Sequence, residues 1–353
     1  MRKLNSQRGA TRRVFLKSLV AVGAGAAVPA GRLIAQITAP KAAPRGRIDV
    51  HHHLYPPDYI KGVADDLRAA GYTPRQWTPA ISLDMMDKAG VATAMLSPVQ
   101  RVVMDSMSDK SERAKKLTRL NNEYNAQLVR DYPGRFGHFA ALPLPDPDAS
   151  VKEIAYAFDT LKADGIALWT SYLDKWVGDP AFWPAYEEMN RRNAIAFYHP
   201  ARPMCCRNLP GQSGIIEYDI DTARAIDSLL WNGTFSKFPN VRHIFSHAGG
   251  AFSTLAARIE DDFPKNRADK VPNGVEYEFK KLYFDIAHAA KAPALDALKD
   301  LVPVSQILYG SDVPLRNYDL TDNGLDVYPG FSDADWRAIN RGNAERLFPR
   351  LKA

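Results

Sequence analysis

Apolar residues along this chain come in short runs, separated by polar segments of helical spacing. Strand-like runs occupy Arg47–His53, Val91–Ser97, Phe136–Pro143, Gly165–Trp169, Ala194–His199, Val241–His247, Leu282–Ile286 and Gln306–Ser311. Helical periodicity fills 81–89, 111–131, 149–163, 180–192, 219–236, 250–262, 292–301 and 333–348. Strands that alternate with helices predict βα units around a parallel sheet, and eight such units are the number that closes a (β/α)8 barrel. An open doubly wound sheet rarely needs eight units, and no G-x-G-x-x-G follows the first run. Three long connections, 54–80, 201–218 and 313–332, follow strands one, five and eight. In a barrel these insertions lie on the C-terminal face, where active sites are built, and their Pro, Gly, Trp and Tyr content suits a rim that encloses a substrate.

The formal charge of +6 changes this picture little. Residues 1–30 contain Arg2, Lys3, Arg8, Arg12, Arg13 and Lys17 and no acidic residue, so the rest of the chain is neutral. The basicity belongs to a leader and not to a nucleic-acid-binding face. That leader, Thr11-Arg12-Arg13-Val14-Phe15-Leu16-Lys17 followed by an apolar segment to Ala30, resembles a twin-arginine export signal. The resemblance implies the twin-arginine machinery as a partner and a periplasmic or otherwise exported protein. Cleavage is expected near Val28-Pro29-Ala30, with Ala35 as an alternative. The apolar segment is short and rich in Gly and Ala, so no stable membrane anchor is expected. Residues 31–46 read as a linker, and 47–353 as the barrel. The two cysteines, Cys205 and Cys206, are adjacent, which rules out an ordinary disulfide framework within the chain. Free thiols are the expected state, with a strained vicinal disulfide as the alternative.

The chemistry gathers on Ile48-Asp49-Val50-His51-His52-His53-Leu54-Tyr55-Pro56. Along a strand, residues i and i+2 share a face, so His51 and His53 point one way and His52 the other. Two imidazoles about 7 Å apart on one face can close on a single metal ion. Further polar residues fall at inferred strand ends: His199 on strand five, His247 on strand six and Asp312 on strand eight. A barrel brings these ends to one mouth. Three imidazoles and a carboxylate make a set suited to zinc or a similar divalent ion.

The segments Asp49-Val50-His51-His52-His53, His199-Pro200, Ser246-His247-Ala248-Gly249-Gly250 and Gly310-Ser311-Asp312 resemble the amidohydrolase superfamily. Within it the chain is similar to the aminocarboxymuconate-semialdehyde decarboxylase-like branch. Its likeness to members that act on 6-methylsalicylate extends through Ile48–Pro57, Asp131–Gly137 and Leu161–Gly165. The resemblance implies that His51, His53 and His199 hold the metal with Asp312 as a fourth ligand or near neighbour. It implies His247 as an acid/base or orienting group. Binuclear members carry a carboxylated Lys at the end of strand four. Here that strand ends Ile166-Ala167-Leu168-Trp169-Thr170, and Lys175 lies beyond, so one ion is expected, zinc first and manganese second.

Two chemistries suit such a site. A hydrolase would activate water on the ion, with Asp312 taking its proton, and cleave a small lactone, ester or amide. A non-oxidative decarboxylase would bind an ortho-hydroxy aromatic acid, and Asp312 would deliver a proton to the ring carbon that loses carbon dioxide. The resemblance favours the second, with a small aromatic acid as substrate and a homodimer as assembly. An exported, non-catalytic metal- or aromatic-binding protein is the remote alternative. Secondary candidates are Arg101, Arg207 and Arg316 for a substrate carboxylate, and Trp77 and Tyr55 for ring stacking. Asp285, near the end of strand seven, is a candidate to orient a ligand or touch substrate, and His288 follows in the next loop, with a surface position as the alternative. His138 reads as a residue of strand three, and His243 as a packed core residue on the His247 face of strand six.

Overall fold

The computed structural model describes residues 46–69, 73, 76–98, 112–201 and 216–352. The twin-arginine run, the linker as far as residue 45, Arg101, Arg207, Cys205 and Cys206 lie outside the described residues. Eight parallel strands follow one another in chain order: β1 Arg47–Leu54, β2 Val91–Pro98, β3 Phe136–Ala141, β4 Gly165–Trp169, β5 Ile195–His199, β6 Arg242–Phe245, β7 Tyr283–Asp285 and β8 Ile307–Leu308. The ring closes where the last strand returns to the first. Val50 N–H donates to Tyr309 O at 3.0 Å, Asp312 N–H to His51 O at 2.9 Å, and His53 N–H to Val313 O at 2.6 Å. This is the expected (β/α)8 barrel.

Helices α1 Pro79–Ala89, α2 Glu112–Asp131, α3 Pro147–Asp159, α4 Trp183–Arg191, α5 Glu217–Trp231, α6 Phe252–Asp261, α7 Ala292–Leu301 and α8 Asp333–Arg337 occupy the periodic segments. Their starts are written locally. Thr78 caps α1 by accepting from Ile81 N–H, ahead of Pro79, and Gly90 ends it at φ 68°. Asp146 caps α3 ahead of Pro147, and Ser332 with Asp335 forms a capping box on α8. The segment 219–236 is not one helix: it breaks after Trp231, Gly233 turns left-handed at φ 71°, and Thr234–Lys237 forms a separate turn. The last segment also departs from a single helix, since α8 runs through a π-helical turn, Ala338–Gly342, into Asn343–Leu347. The rim after β1 contains helices Pro57–Gly62 and Ala64–Ala69, and the rim after β8 contains Asp319–Val327. No helix among the described residues is long and apolar enough to cross a membrane.

Inside the barrel, Ile48, Val50, Met95, Phe139, Ala167, Phe197, Ile244 and Leu308 form one buried cluster, with Phe139 and Phe197 stacked at 5.0 Å. Leu347, Phe348 and Leu351 join it from the C-terminal segment and close the floor. The filled floor leaves the opposite end of the strands as the mouth.

Strand β1 carries a bulge that matters for the mouth. Asp49 pairs with Ala94 and His52 with Leu96, so three steps on β1 oppose two on β2. Ile48 and Val50 face the barrel interior below the bulge, and His51 and His53 face the same interior above it. The alternation within His51–His53 is as the sequence suggests; the continuity from Val50 to His51 depends on the bulge.

Candidate metal centre

His51, His53, His199 and Asp312 meet at the mouth, each buried, with one ligand atom apiece inside a 4.8 Å span. His53 Nε2 stands 3.1 Å from His51 Nε2 and 3.2 Å from His199 Nε2. Asp312 Oδ1 lies 2.9 Å from His53 Nε2, 3.3 Å from His51 Nε2 and 3.9 Å from His199 Nε2.

The opposite ring nitrogens decide which way the lone pairs face. His51 Nδ1 is 2.9 Å from Asp285 Oδ2, His199 Nδ1 is 3.2 Å from Pro200 O, and His53 Nδ1 faces Ser97 O at 3.4 Å and Ser97 Oγ at 3.2 Å. Carbonyl and carboxylate acceptors take the Nδ1 proton, which leaves each Nε2 with a lone pair turned to the centre. Asp312 Oδ1 is buried among them with no hydrogen-bond partner among the described residues. Such a set fits a divalent cation that takes up imidazole nitrogen and carboxylate oxygen together.

Electrostatics agree with that fit. Burial opposes charge on His51, yet the Asp285 carboxylate, with Asp312 behind it, raises it to about 10. Burial lowers His53, and takes His199 down to about 3. Burial alone would raise the Asp312 carboxyl, but His199, His288, His51 and His53 around it hold it well below the usual range. The two carboxylates thus draw one positive charge into the cluster, and a bound ion would supply it while displacing the proton.

His247 stands beside the set and outside it, its ring centroid 5.0 Å from that of His51 and 5.2 Å from that of His199. It reaches the mouth by a left-handed turn, φ 57°, after β6 has ended at Phe245. Strand parity therefore does not relate it to His243. That residue lies on the outer face, its Nδ1 2.9 Å from Tyr198 OH and its ring edge-on to Phe235. His247 N–H donates to Asp285 Oδ1 at 3.2 Å, and its buried Nε2 has no partner among the described residues. Burial first, and the neighbouring His51 and His199 after it, lower this imidazole well below its ordinary value and leave it neutral.

Asp285 thus serves two histidines. His288 belongs to the mouth as well: its Nε2 is 3.0 Å from Asp312 Oδ2, and Arg316 Nε lies 3.1 Å from the same nitrogen. Three of these residues, His247, His288 and Asp312, hold φ between 57° and 67°, a strained arrangement typical of functional sites and invisible to periodicity. Trp77 is not at the mouth; it packs on Tyr124 and donates its indole N–H to Ser82 Oγ at 2.8 Å. Tyr55 is buried in the outer core. His138 is buried on β3 with both ring nitrogens unpartnered among the described residues. At the end of β4, Trp169 faces His199 at 6.5 Å, Thr170 Oγ1 binds Asp221 and Ala201 N–H, and Lys175 pairs outside with Asp179.

Asp49 escaped the sequence reading of the site. Its Oδ1 accepts from His51 N–H at 3.0 Å and Ser311 N–H at 3.1 Å, and its Oδ2 from Ser311 Oγ at 2.6 Å and Tyr318 OH at 3.1 Å. A carboxylate inside an apolar strand was the available signal, since a buried charge needs such partners.

The family profile described as Amidohydrolase matches residues 48–350. The chain is similar to Decarboxylase macB of Penicillium terrestre, with 34% identity over 324 residues that cover 87% of this chain and 96% of the relative. It is 33% identical over 322 residues to the 6-methylsalicylic acid decarboxylase of Penicillium expansum, covering 87% and 97% of the two chains. A dihydroxybenzoic acid decarboxylase from Polaromonas, crystallised with manganese and an inhibitor, superposes with a TM-score of 0.74 at 22% identity, over 88% of this chain and 98% of that one; this likeness speaks for the fold.

Proposed function

The chain belongs to the amidohydrolase family as a metal-dependent decarboxylase, and we propose that its substrate is a hydroxylated aromatic acid of the 6-methylsalicylate type. The observation that carries the reading is the double placement of Asp312. Its Oδ1 stands among three imidazole Nε2 atoms, while its Oδ2 turns to His288, outside the ligand set. His51, His53, His199 and Asp312 would hold a divalent ion, which would supply Lewis-acid charge for the oxygens of an ortho-hydroxy acid. Zinc is our choice, because the set is rich in imidazole nitrogen; manganese is the alternative. One ion suffices, as Trp169 and Thr170 stand where a second would need a lysine.

Asp312, kept ionised by the surrounding imidazoles, takes the phenolic proton of the arriving acid at Oδ2 and returns it to the ring carbon that bears the carboxyl group. The new C–H bond replaces the C–C bond to the carboxylate. The electron pair of the broken bond restores the aromatic ring, carbon dioxide leaves, and the product phenoxide takes a proton from solvent. No electron is gained or lost overall, so no oxidant takes part. His247, neutral and with Nε2 unpartnered, offers one hydrogen bond to a substrate oxygen. The twin-arginine run at Arg12 and Arg13 supports export of the finished enzyme.

The test offers 6-methylsalicylate, other hydroxybenzoates, lactones and amides to the zinc- or manganese-loaded protein and follows carbon dioxide. In heavy water the product should carry one deuterium at the carbon that lost the carboxyl group. Cleavage of lactones or amides with no carbon dioxide from any hydroxybenzoate replaces this reading with a hydrolase.

A further inference from the structure

Three consecutive histidines end β1, and the metal set uses the outer two. His52, between them, is fully buried on the opposite face, and both ring nitrogens are engaged. Its Nε2 lies 2.8 Å from Ser82 Oγ, which also accepts the Trp77 indole N–H at 2.8 Å. Its Nδ1 lies 3.1 Å from Tyr318 OH and 3.4 Å from Asp49 Oδ2.

The two ends of this chain of contacts fix its direction. An indole N–H only donates, and a carboxylate only accepts. Ser82 accepts from Trp77 and gives its own proton to His52 Nε2. The imidazole proton then sits on Nδ1 and goes to the Tyr318 oxygen, and the Tyr318 proton goes to Asp49. The other tautomer would turn the Nδ1 lone pair on the Asp49 carboxylate. Burial, and the Asp49 charge after it, hold the Tyr318 phenol well above its ordinary value, so its proton is always there to give.

Asp49 passes the connection to the backbone on both sides of the β1–β8 seam. The bulge takes Val50 and His51 out of the β2 ladder; Val50 N–H goes to Tyr309 O, and His51 N–H finds Asp49 Oδ1 at 3.0 Å. The same oxygen accepts Ser311 N–H, next to Asp312.

We propose that His52 is a positioning residue for the metal centre. As the Nδ1–H tautomer it ties Ser82 of α1 and Tyr318 of the segment after β8 to Asp49, and through Asp49 sets where His51 and Asp312 stand. This rests on the metal site of the proposed decarboxylase and adds to it a residue that binds neither ion nor substrate. It also gives the middle histidine a task that a ligand count leaves unexplained.

Isosteric variants separate the two nitrogens. His52→Asn places an amide near Nδ1 and nothing near Nε2, and His52→Gln does the reverse. By chelator competition with zinc, His52→Asn should stay within about threefold of the wild type, and His52→Gln should bind roughly 10- to 100-fold more weakly, the usual effect of losing an outer partner of a metal ligand. Tyr318→Phe, which removes one oxygen and keeps the ring, should follow His52→Gln. The visible bands of the cobalt-loaded protein should shift in His52→Gln and Tyr318→Phe and hold in His52→Asn. Unchanged affinity and bands throughout overturn the assignment. So does an equal loss in His52→Asn and His52→Gln that tracks the thermal midpoint, which would mark a purely structural role. A wild-type chain that takes up no ion sinks the metal centre itself, a result distinct from a wild type that binds while His52→Gln binds equally well.

Discussion

Gly310 faces Asp285 so closely that a methyl group on it would stand 2.8 Å from the Asp285 Cβ and 2.9 Å from its carboxyl carbon. Asp285 holds His51 Nδ1 with one oxygen and the backbone N–H groups of His247 and Ala287 with the other. The bare α-carbon is therefore the space in which the carboxylate that orients a metal ligand sits.

Gly310→Ala should push Asp285 off His51 and weaken zinc binding roughly 10- to 100-fold, with a stability cost of about 1–3 kcal/mol from overpacking. Asp285→Asn should weaken zinc similarly without the overpacking, since its amide nitrogen, a donor, would face either the His51 Nδ1 proton or the backbone N–H groups of His247 and Ala287. Chelator competition and urea unfolding on the two variants check this. Wild-type affinity in both would show that Asp285 does not orient His51.

Asp312→Asn should lower turnover by roughly 10² or more, because an amide cannot take and return the proton. The substitution is conformationally clean: Asp312 sits at φ 67°, a region Asn tolerates well. Metal content must be measured alongside, so that a lost ion is not mistaken for a lost acid. Turnover near the wild type with the ion in place would move the proton transfer to another group.

Acid should destabilise the fold through His138. Burial lowers it to about 4, against about 6.5 in an unfolded chain. Between these values the unfolded chain takes a proton that the native barrel refuses, so this contribution to stability is lost as pH falls from about 6.5 and levels off below about 4. The full effect is about 3 kcal/mol. His138→Leu, which replaces a ring whose nitrogens have no hydrogen-bond partner among the described residues, should flatten that limb of the profile in urea unfolding of the metal-stripped protein. An unchanged slope would place the acid sensitivity elsewhere, with His243, lowered by burial to about 3, as the next residue to replace.

Replacing Arg12 and Arg13 together by Lys should hold the precursor in the cytoplasm, as read by fractionation. Normal export of that double variant would remove the twin-arginine reading.

The eight strands and most of their helices were legible because apolar runs and helical periods alternate, while the breaks inside 219–236 and 333–348 were not. His51, His53 and His199 were legible because each ends such a run, and Asp312 because it follows the last one; its left-handed turn was not. What stayed hidden depends on backbone departures that side-chain pattern does not encode. The bulge at Val50 and His51 carries the interior face across a parity change. Left-handed turns at His247, His288 and Asp312 aim side chains after their strands have ended. His288 looked like a loop residue, and only the closure of the barrel brings it 3.0 Å from Asp312. Asp49 was read as part of a motif, and its work of joining β1 to the segment after β8 emerges from contacts 262 residues apart in sequence.

The seam between the first and last strands has a consequence for biogenesis. The ligands come from the ends of β1 and β5 and from the turn after β8, so no nascent chain shorter than residue 312 contains the full set. The complete four-ligand site forms only when the last strand meets the first, and an ion held there would tie together two strands whose meeting carries the largest loop-closure cost in the chain. Tight metal uptake would thereby report a completed barrel, because a chain clipped before residue 312 lacks the carboxylate of the set.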